Sequence, residues 1–133
     1  MSTSFFHAVL REPGAKHTIR NSRNQRVLAD EVIAAFDSKS RRTGLLKHSA
    51  MPRGSAMLIA PTNAVHTFFM RFPIDIAFVT REGRIVKVCP AVRPWRVAAA
   101  WKAFGVIELA AGTLLSSDTL VGDVLTLSAS KQV

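Results

Sequence analysis

A short arginine-rich segment carries the residues best suited to binding chemistry. Arg93-Pro94-Trp95-Arg96 places two guanidinium groups on either side of an indole ring. A guanidinium can bind phosphate or carboxylate oxygens through two hydrogen bonds, and an indole offers a flat face to a stacked base. Pro94 stiffens the segment and restricts Arg93 to extended backbone. The sequence therefore predicts anion binding by Arg93, Trp95 and Arg96. In the alternative interpretation, Trp95 closes the end of the core and both arginines extend into solvent.

Arg71 is a further candidate for the same site. It lies in the apolar segment 65–79, and a guanidinium in such surroundings needs a partner or access to solvent. Asp75 shares its strand face, but a straight strand would separate the two residues by roughly 13 Å. A bend at Pro73 would allow a structural ion pair. Alternatively, the two are separate surface charges or each pairs elsewhere. In the functional interpretation, Arg71 points into a cleft shared with Arg93 and Arg96 and binds an anion through two hydrogen bonds.

His66 is the only clear candidate for acid–base chemistry, because imidazole titrates near neutral pH. A hydrolase or transferase would use His66 together with Asp75 or Glu108. A histidine at such a position is more often structural, however, and an outward-facing position on an alternating strand also explains Glu108. The chain has one cysteine and no histidine or carboxylate pair at a ligand spacing. The sequence therefore predicts no metal site and no cofactor.

The segments around these residues predict a mainly β fold. Residues 65–79 alternate at period two, with large apolar side chains on one face, and Pro73 divides them into strands over about 65–71 and 74–80. Gly83 supplies the tight turn of a hairpin that leads into residues 85–88. Further short strands are predicted over 57–59, 97–101, 106–109 and 124–127. We expect a single-domain β-sandwich or barrel-like fold with one or two short helices.

The first part of the chain is harder to interpret. Residues 1–24 have no clear period and are predicted to form an irregular arm, with one short strand over 5–10. Residues 26–36 fit either a helix or strands, and we favour a pair of strands or one bent strand. Residues 38–47 resemble a polar turn followed by one helical turn, and 114–120 a second helical turn. The arm and a single β domain over 25–129 make up the predicted organisation.

Net charge is the one unusual bulk property. Lysine and arginine outnumber aspartate and glutamate by 18 to 9 in 133 residues, which gives a formal net charge of +9. Such a field attracts nucleic acid or anionic surfaces, although it can equally serve solubility alone. No apolar run reaches the roughly 20 residues of a membrane span, and no basic segment precedes the short apolar run near residue 5. We therefore expect a cytoplasmic protein without a membrane span.

Several motifs together resemble a known family. In chain order they are RTGLL at 42–46, ML at 57–58, HTFFMRFPID at 66–75, RPWR at 93–96, ELAAGT at 108–113 and VGD at 121–123. In order and spacing they resemble the uncharacterised bacterial and archaeal family catalogued as domain of unknown function 192. The resemblance covers about residues 27–127 and implies a sandwich-like, mainly β domain with short helical pieces. It implies no established activity, substrate or cofactor. Ala110 departs from the pattern, which usually has proline there.

Three functional hypotheses follow. The first, which we favour, is a non-enzymatic module that binds a small anionic ligand through Arg71, Arg93, Arg96, Trp95 and His66. The second is a nonspecific binder of nucleic acid or anionic surfaces that uses the whole basic field, including Arg20, Arg23, Arg26, Arg41 and Arg42. The third, and least supported, is an enzyme that uses His66 with Asp75 or Glu108. The sequence does not indicate an oligomeric state.

Overall fold

The computed structural model describes residues 4–11, 15–35 and 51–130. Two short helices lie in this part of the chain, α1 (His7–Arg11) and α2 (Thr113–Ser116). The strands are β1 (Lys16–Asn21), β2 (Val27–Ala29), β3 (Glu31–Ala35), β4 (Ser55–Ile59), β5 (Ala64–His66), β6 (Ile74–Val79), β7 (Ile85–Val92), β8 (Val97–Ala99), β9 (Gly105–Ala110) and β10 (Leu125–Ser130). The mainly β fold with short helices is confirmed.

The strands form three sheets. A five-stranded sheet has the order β3-β4-β9-β6-β7, a three-stranded sheet has the order β10-β1-β2, and β5 pairs with β8 in a two-stranded ribbon. β3 and β4 run parallel, while the other paired strands are antiparallel. The central strands β6 and β9 are buried along their whole length, as expected for strands that are covered on both faces.

One face of the five-stranded sheet packs against the three-stranded sheet. The core between them includes Leu58 and Ile107 from the large sheet, Ile19 and Leu125 from the small one, and Phe6 from the segment that leads into α1. This packing of two sheets on a shared apolar core is that of a sandwich.

The other face of the five-stranded sheet holds a second apolar core. Ile74, Ile76 and Phe78 of β6 contribute to it, and the β5–β8 ribbon adds Val65 and Ala98. Met70 and Phe72, from the connection between β5 and β6, also belong to this core. The ribbon and this connection therefore lie over the second face of the central sheet.

Two expectations for the first part of the chain are wrong. Residues 7–10 of the run expected to be a strand belong to α1, and residues 16–21 of the expected irregular arm form β1, which lies between β10 and β2. In β1 the buried side chains are those of His17, Ile19 and Asn21. Burial alternates along this strand, but hydropathy does not, and this explains why the strand has no apolar period.

The remaining segments agree more closely with expectation. Residues 27–35 form the two successive strands β2 and β3. The first strand of the 65–79 segment is shorter than predicted and ends at His66, while β6 begins directly after Pro73. The hairpin contains Gly83 at a φ of 90°. The turn expected over 38–47 lies outside the described residues.

Candidate anion-binding site

The side chain and backbone of Thr67 tie two loops together. The Thr67 hydroxyl donates a hydrogen bond to the carbonyl of Arg93 at 2.7 Å and accepts one from the Arg96 N–H at 2.9 Å. The Thr67 N–H donates to the Arg96 carbonyl at 2.8 Å, and the Trp95 N–H donates to the Thr67 carbonyl at 3.0 Å. Since Thr67 is 1% exposed, water competes little for these bonds. The segments 66–71 and 93–96 are therefore held side by side, and we call them the paired loops.

Aromatic side chains meet across the paired loops. Trp95 stacks on Phe68 with ring centroids 5.7 Å apart and meets Phe69 edge-on at 4.6 Å. Phe69 is 61% exposed and Trp95 55% exposed. Both residues have left-handed backbone, with φ of 69° and 66°. A bulky residue held in this conformation costs on the order of 1–3 kcal/mol, and the surrounding bonds must maintain it.

The three candidate arginines all belong to the paired loops and are exposed. To the described residues, the Arg71 and Arg93 side chains make no hydrogen bond or ion pair. The Arg96 guanidinium reaches only the carbonyls of Pro94 and Trp95, at 3.4 and 3.5 Å. Contacts of that length are weak hydrogen bonds. These cations therefore retain their capacity to bind an anion.

His66 ends β5 at the start of the paired loops. It is half-buried, its ring centroid lies 4.5 Å from that of Phe68, and its Nδ1 accepts a hydrogen bond from the Phe68 N–H at 3.3 Å. The imidazole thus contacts the aromatic cluster, and His66 pairs across the ribbon with Val97, the residue after Arg96.

Asp75 does not pair with Arg71. Its side chain is fully buried in β6, where Oδ1 accepts the Ala91 N–H at 2.8 Å. Oδ2 accepts the N–H groups of Gly112 at 3.1 Å and Leu114 at 2.8 Å. Three backbone donors satisfy this carboxylate in the core. Asp75 therefore links the central sheet to the end of β7, two residues before Arg93, and to the start of α2.

Glu108 is also fully buried, so the expectation of an outward-facing position is wrong. It lies on β9, opposite Met57 of β4 and Ile76 of β6, both of which belong to the second core. Its position on a central strand covered on both faces explains the burial. Asp75 and Glu108, the two acids considered as partners for His66 in catalysis, are thus both withdrawn from solvent.

The arginines near β1 have local partners. Arg23 forms ion pairs with Asp123 at 2.8 Å and Asp118 at 3.3 Å. The hydrogen bond from Arg23 lowers the pKa of Asp123 to about 2, against the opposing effect of burial. Arg20 donates to the Gln25 carbonyl at 2.8 Å, and Arg26 to the Ser116 carbonyl at 3.1 Å. Arg41 and Arg42 lie outside the described residues.

Three cavities lie away from the three arginines. The largest, about 540 Å³, lies between α1 and β10 and includes His7 and Arg11. Another, about 220 Å³, includes Asp30 and Arg53. The third, about 470 Å³, lies beside Trp101 and includes Lys87 and Lys102. None of the three cavities is lined by Arg71, Arg93 or Arg96. The arginines therefore lie on the surface of the paired loops, outside these cavities.

Other classes of site have little basis in the described part of the chain. It contains no group of three histidine, cysteine, aspartate or glutamate side chains that could hold a metal ion. Its helices are too short to cross a bilayer.

Sequence reasoning missed Thr67 and Phe69. Thr67 was overlooked because its importance comes from hydrogen bonds to a loop 26 or more residues away. In the sequence, Thr67 stands out only as a small polar residue within the apolar segment 65–79. Phe69 lies on the weaker face of the predicted alternation, and its exposure depends on the turn in which the Met70 N–H donates to the Thr67 carbonyl.

Comparisons with known proteins agree with the fold. No curated protein matches the chain. A proposed transcription regulator from Sinorhizobium meliloti 1021 has a similar structure, with a TM-score of 0.70 and 21% identity over 86% of this chain and 92% of its own. A protein of unknown function from Novosphingobium aromaticivorans DSM 12444 has a TM-score of 0.66 and 19% identity, over 83% of this chain and 82% of its own. At these identities the likeness concerns the fold alone.

The family model of DUF192, described as "Uncharacterized ACR", matches residues 18–127. This span includes both paired loops and every strand from β2 to β9. The chain therefore belongs to the DUF192 family, whose function is not known.

Proposed function

We propose that the protein is a binding module, and not an enzyme, that holds a small anionic group at the paired loops. The observation that carries this proposal is the set of hydrogen bonds at Thr67, because they join the segment that bears Arg71 to the segment that bears Arg93 and Arg96. Backbone held in this way fixes the positions from which the three arginine side chains extend before a ligand arrives. Such preorganisation lowers the entropic cost of binding.

Local charge supports the proposal. Residues 62–103 contain seven lysines and arginines but only two acidic residues, Asp75 and Glu82. The Asp75 oxygens are occupied by backbone N–H groups, and Glu82 lies in the hairpin between β6 and β7. An anion would meet guanidinium groups that do not have to break an ion pair with a described residue first. Arginine also suits this task because its planar group can donate two parallel hydrogen bonds.

The positions of the acids favour binding over catalysis. A general acid or base must reach the substrate to within hydrogen-bond distance. Asp75 and Glu108 have no exposed surface, and the carboxylate of Asp75 is already engaged by three donors. His66 would therefore have to act without either of them.

Calorimetric titration with inorganic pyrophosphate tests the proposal. We expect Arg71→Ala and Arg96→Ala each to weaken binding by roughly tenfold or more, since a hydrogen bond to a charged group contributes about 1.5–3 kcal/mol. Arg96→Lys keeps the charge but loses the two-pronged geometry, and we expect an intermediate loss. Because these side chains are exposed, the melting temperature should stay within about 2 °C.

Arg26→Ala is the matched control, because it removes the same charge from an exposed residue outside the paired loops. It should leave pyrophosphate affinity nearly unchanged. Equal losses in Arg26→Ala and Arg96→Ala would indicate a general effect of net charge and would contradict a defined site. Unchanged binding in both loop variants would contradict it as well.

A further inference from the structure

The β5–β8 ribbon has an exposed outer face next to the paired loops. Residues directly opposite each other in the ribbon share a face, and the pairs are His66 with Val97 and Ala64 with Ala99. Val65 and Ala98 point the other way, into the second core. Val97 is 67% exposed, although burial is the usual position for valine. This outer face therefore presents the apolar side chains of Ala64, Val97 and Ala99 to solvent, next to the half-buried imidazole of His66.

Trp95 provides a flat ring at one end of this face. Phe68 covers one side of the indole by stacking at an interplanar angle of 26°, and Phe69 meets its edge. With these neighbours Trp95 remains 55% exposed. A ring that is supported on one side and open elsewhere is suited to stacking against another planar group.

Trp101 provides a second ring at the other end. It follows β8 by two residues and is 81% exposed. Lys102 places its Nζ 5.4 Å from the centroid of this ring, and both residues line the cavity of about 470 Å³ together with Lys87. A strand rises about 3.3 Å per residue, so the two tryptophans are separated by at most about 20 Å of chain.

Each ring thus has cations beside it. Arg93 and Arg96 flank Trp95, and Lys87 and Lys102 accompany Trp101. Alternating planar rings and cations match the alternation of bases and phosphates in a nucleic acid strand. A duplex keeps its bases stacked inside, which makes their faces unavailable to the two indoles. The small side chains of Ala64 and Ala99 lie between the two tryptophans and leave room for an extended strand to pass from one ring to the other.

From this arrangement we infer that the ligand is single-stranded nucleic acid, whose bases stack on Trp95 and Trp101 while its phosphates contact the neighbouring cations. The inference rests on the proposed function, because Arg93 and Arg96 contact the phosphate of the base stacked on Trp95. It extends that function along the ribbon to a second ring.

The tryptophans themselves report on binding. The chain has two tryptophans and no tyrosine, so its intrinsic fluorescence comes mainly from the surface in question. We expect an oligothymidylate of roughly 12 nucleotides, a length within the range that one small domain covers, to quench this fluorescence at low salt. Trp95→Ala and Trp101→Ala should each weaken binding roughly 5- to 100-fold, the range for one stacked base. The remaining tryptophan should still be quenched in each variant.

Leu115→Ala is the matched control, since Leu115 is an exposed apolar residue on α2, away from the ribbon. It should bind the oligonucleotide as the wild type does. The complementary duplex should bind less tightly than the single strand. Equal affinity for both forms, or affinity that is insensitive to either tryptophan, would overturn the inference and indicate that only the backbone charge is sensed.

Separate outcomes distinguish this inference from the proposed function. Pyrophosphate binding that depends on Arg96, without any response to the oligonucleotide, would refute the single-strand ligand and leave the anion site intact. Absence of binding by both probes would refute both proposals. A fluorescence change with phosphatidylserine vesicles but not with the oligonucleotide would replace the nucleic acid by a lipid surface.

Discussion

Asp75→Asn tests whether the buried carboxylate holds Ala91, at the end of β7, in the position from which the segment 93–96 of the paired loops begins. Asparagine has nearly the same shape as aspartate but keeps one oxygen acceptor, and its amide group can only donate. If the remaining oxygen faces Gly112 and Leu114, the amide must face the Ala91 N–H, which then has no acceptor. Ala91 has a φ of 48°, so the lost bond lies at a residue that already needs support.

The size of the effect follows from these contacts. One buried N–H without a partner costs about 1–3 kcal/mol, and the other two bonds lose their charge-assisted strength. The neutral side chain is easier to bury, which offsets part of this loss. We expect a net loss of about 2 kcal/mol in the free energy of unfolding. For 133 residues the unfolding entropy is about 0.28 kcal/mol per kelvin, so the melting temperature should fall by about 7 °C.

Thermal unfolding followed by circular dichroism measures this loss, and amide hydrogen exchange locates it. The amide of Ala91 should exchange faster in the variant, and pyrophosphate should bind more weakly because the loop that begins two residues later is less well fixed. Asp118→Asn is the matched control, since the Asp118 carboxylate is exposed and its ion pair with Arg23 is 3.3 Å long. It should change stability by less than about 1 kcal/mol.

Two results would refute this reasoning in different ways. An unchanged melting temperature would mean that the three amide bonds contribute little, and Asp75 would not be the support we describe. A lower melting temperature with unchanged exchange at Ala91 and unchanged pyrophosphate affinity would show that Asp75 stabilises the sheet without positioning the loop.

Two further predictions concern stability alone. The hydrogen bond from Arg23 lowers the pKa of Asp123 to about 2. The ion pair therefore stabilises the fold fully above the unfolded-state pKa of aspartate, near 4, and this stabilisation is lost as the pH falls towards 2. Because Arg23 is half-exposed, we expect the ion pair to contribute about 1–2 kcal/mol to the free energy of unfolding. Urea unfolding at a series of pH values should show that the free energy of unfolding of Asp123→Asn changes less across this window than that of the wild type. Parallel profiles would contradict the ion pair. Gly83→Ala should destabilise more than Gly122→Ala in the same assay, by about 1 kcal/mol or more. Gly83 and Gly122 have similar left-handed backbone, with φ of 90° and 94°. A Cβ added at Gly83 would lie 2.5 Å from the Leu125 carbonyl oxygen, whereas one added at Gly122 would meet nothing within 4 Å. Equal losses of stability would show that the contact at Gly83 relaxes easily.

The predictable part of the fold depended on local signals. Alternation over 74–79 and the glycine of the 81–84 turn are properties of neighbouring residues, and both appear in the structure as β6 and the β6–β7 hairpin. β1 had no such signal, because the tertiary structure buries the polar side chains of His17 and Asn21. The Asn21 amide donates to Asp123, about a hundred residues later, at 2.8 Å. A partner so distant in the chain cannot be identified from one sequence.

The candidate site was predictable in its residue types but not in its assembly. Arg93, Trp95 and Arg96 were evident from their spacing, whereas the role of Thr67 depends on hydrogen bonds between two loops. The orientation of Glu108 depended on which sheet faces are covered. An alternating strand on a half-exposed sheet turns such a residue outward, but β9 is central and covered on both faces.

The distribution of charge within the fold favours a local site over a general basic field. Asp75, Glu108 and Asp123 are buried, while Arg71, Arg93 and Arg96 are exposed. Near β1, in contrast, Arg23 is bound by Asp118 and Asp123. An approaching polyanion would have to compete with those carboxylates at Arg23, whereas at the paired loops the described residues offer no such competitor. Binding driven by total charge would ignore this difference, and binding at a defined site would follow it.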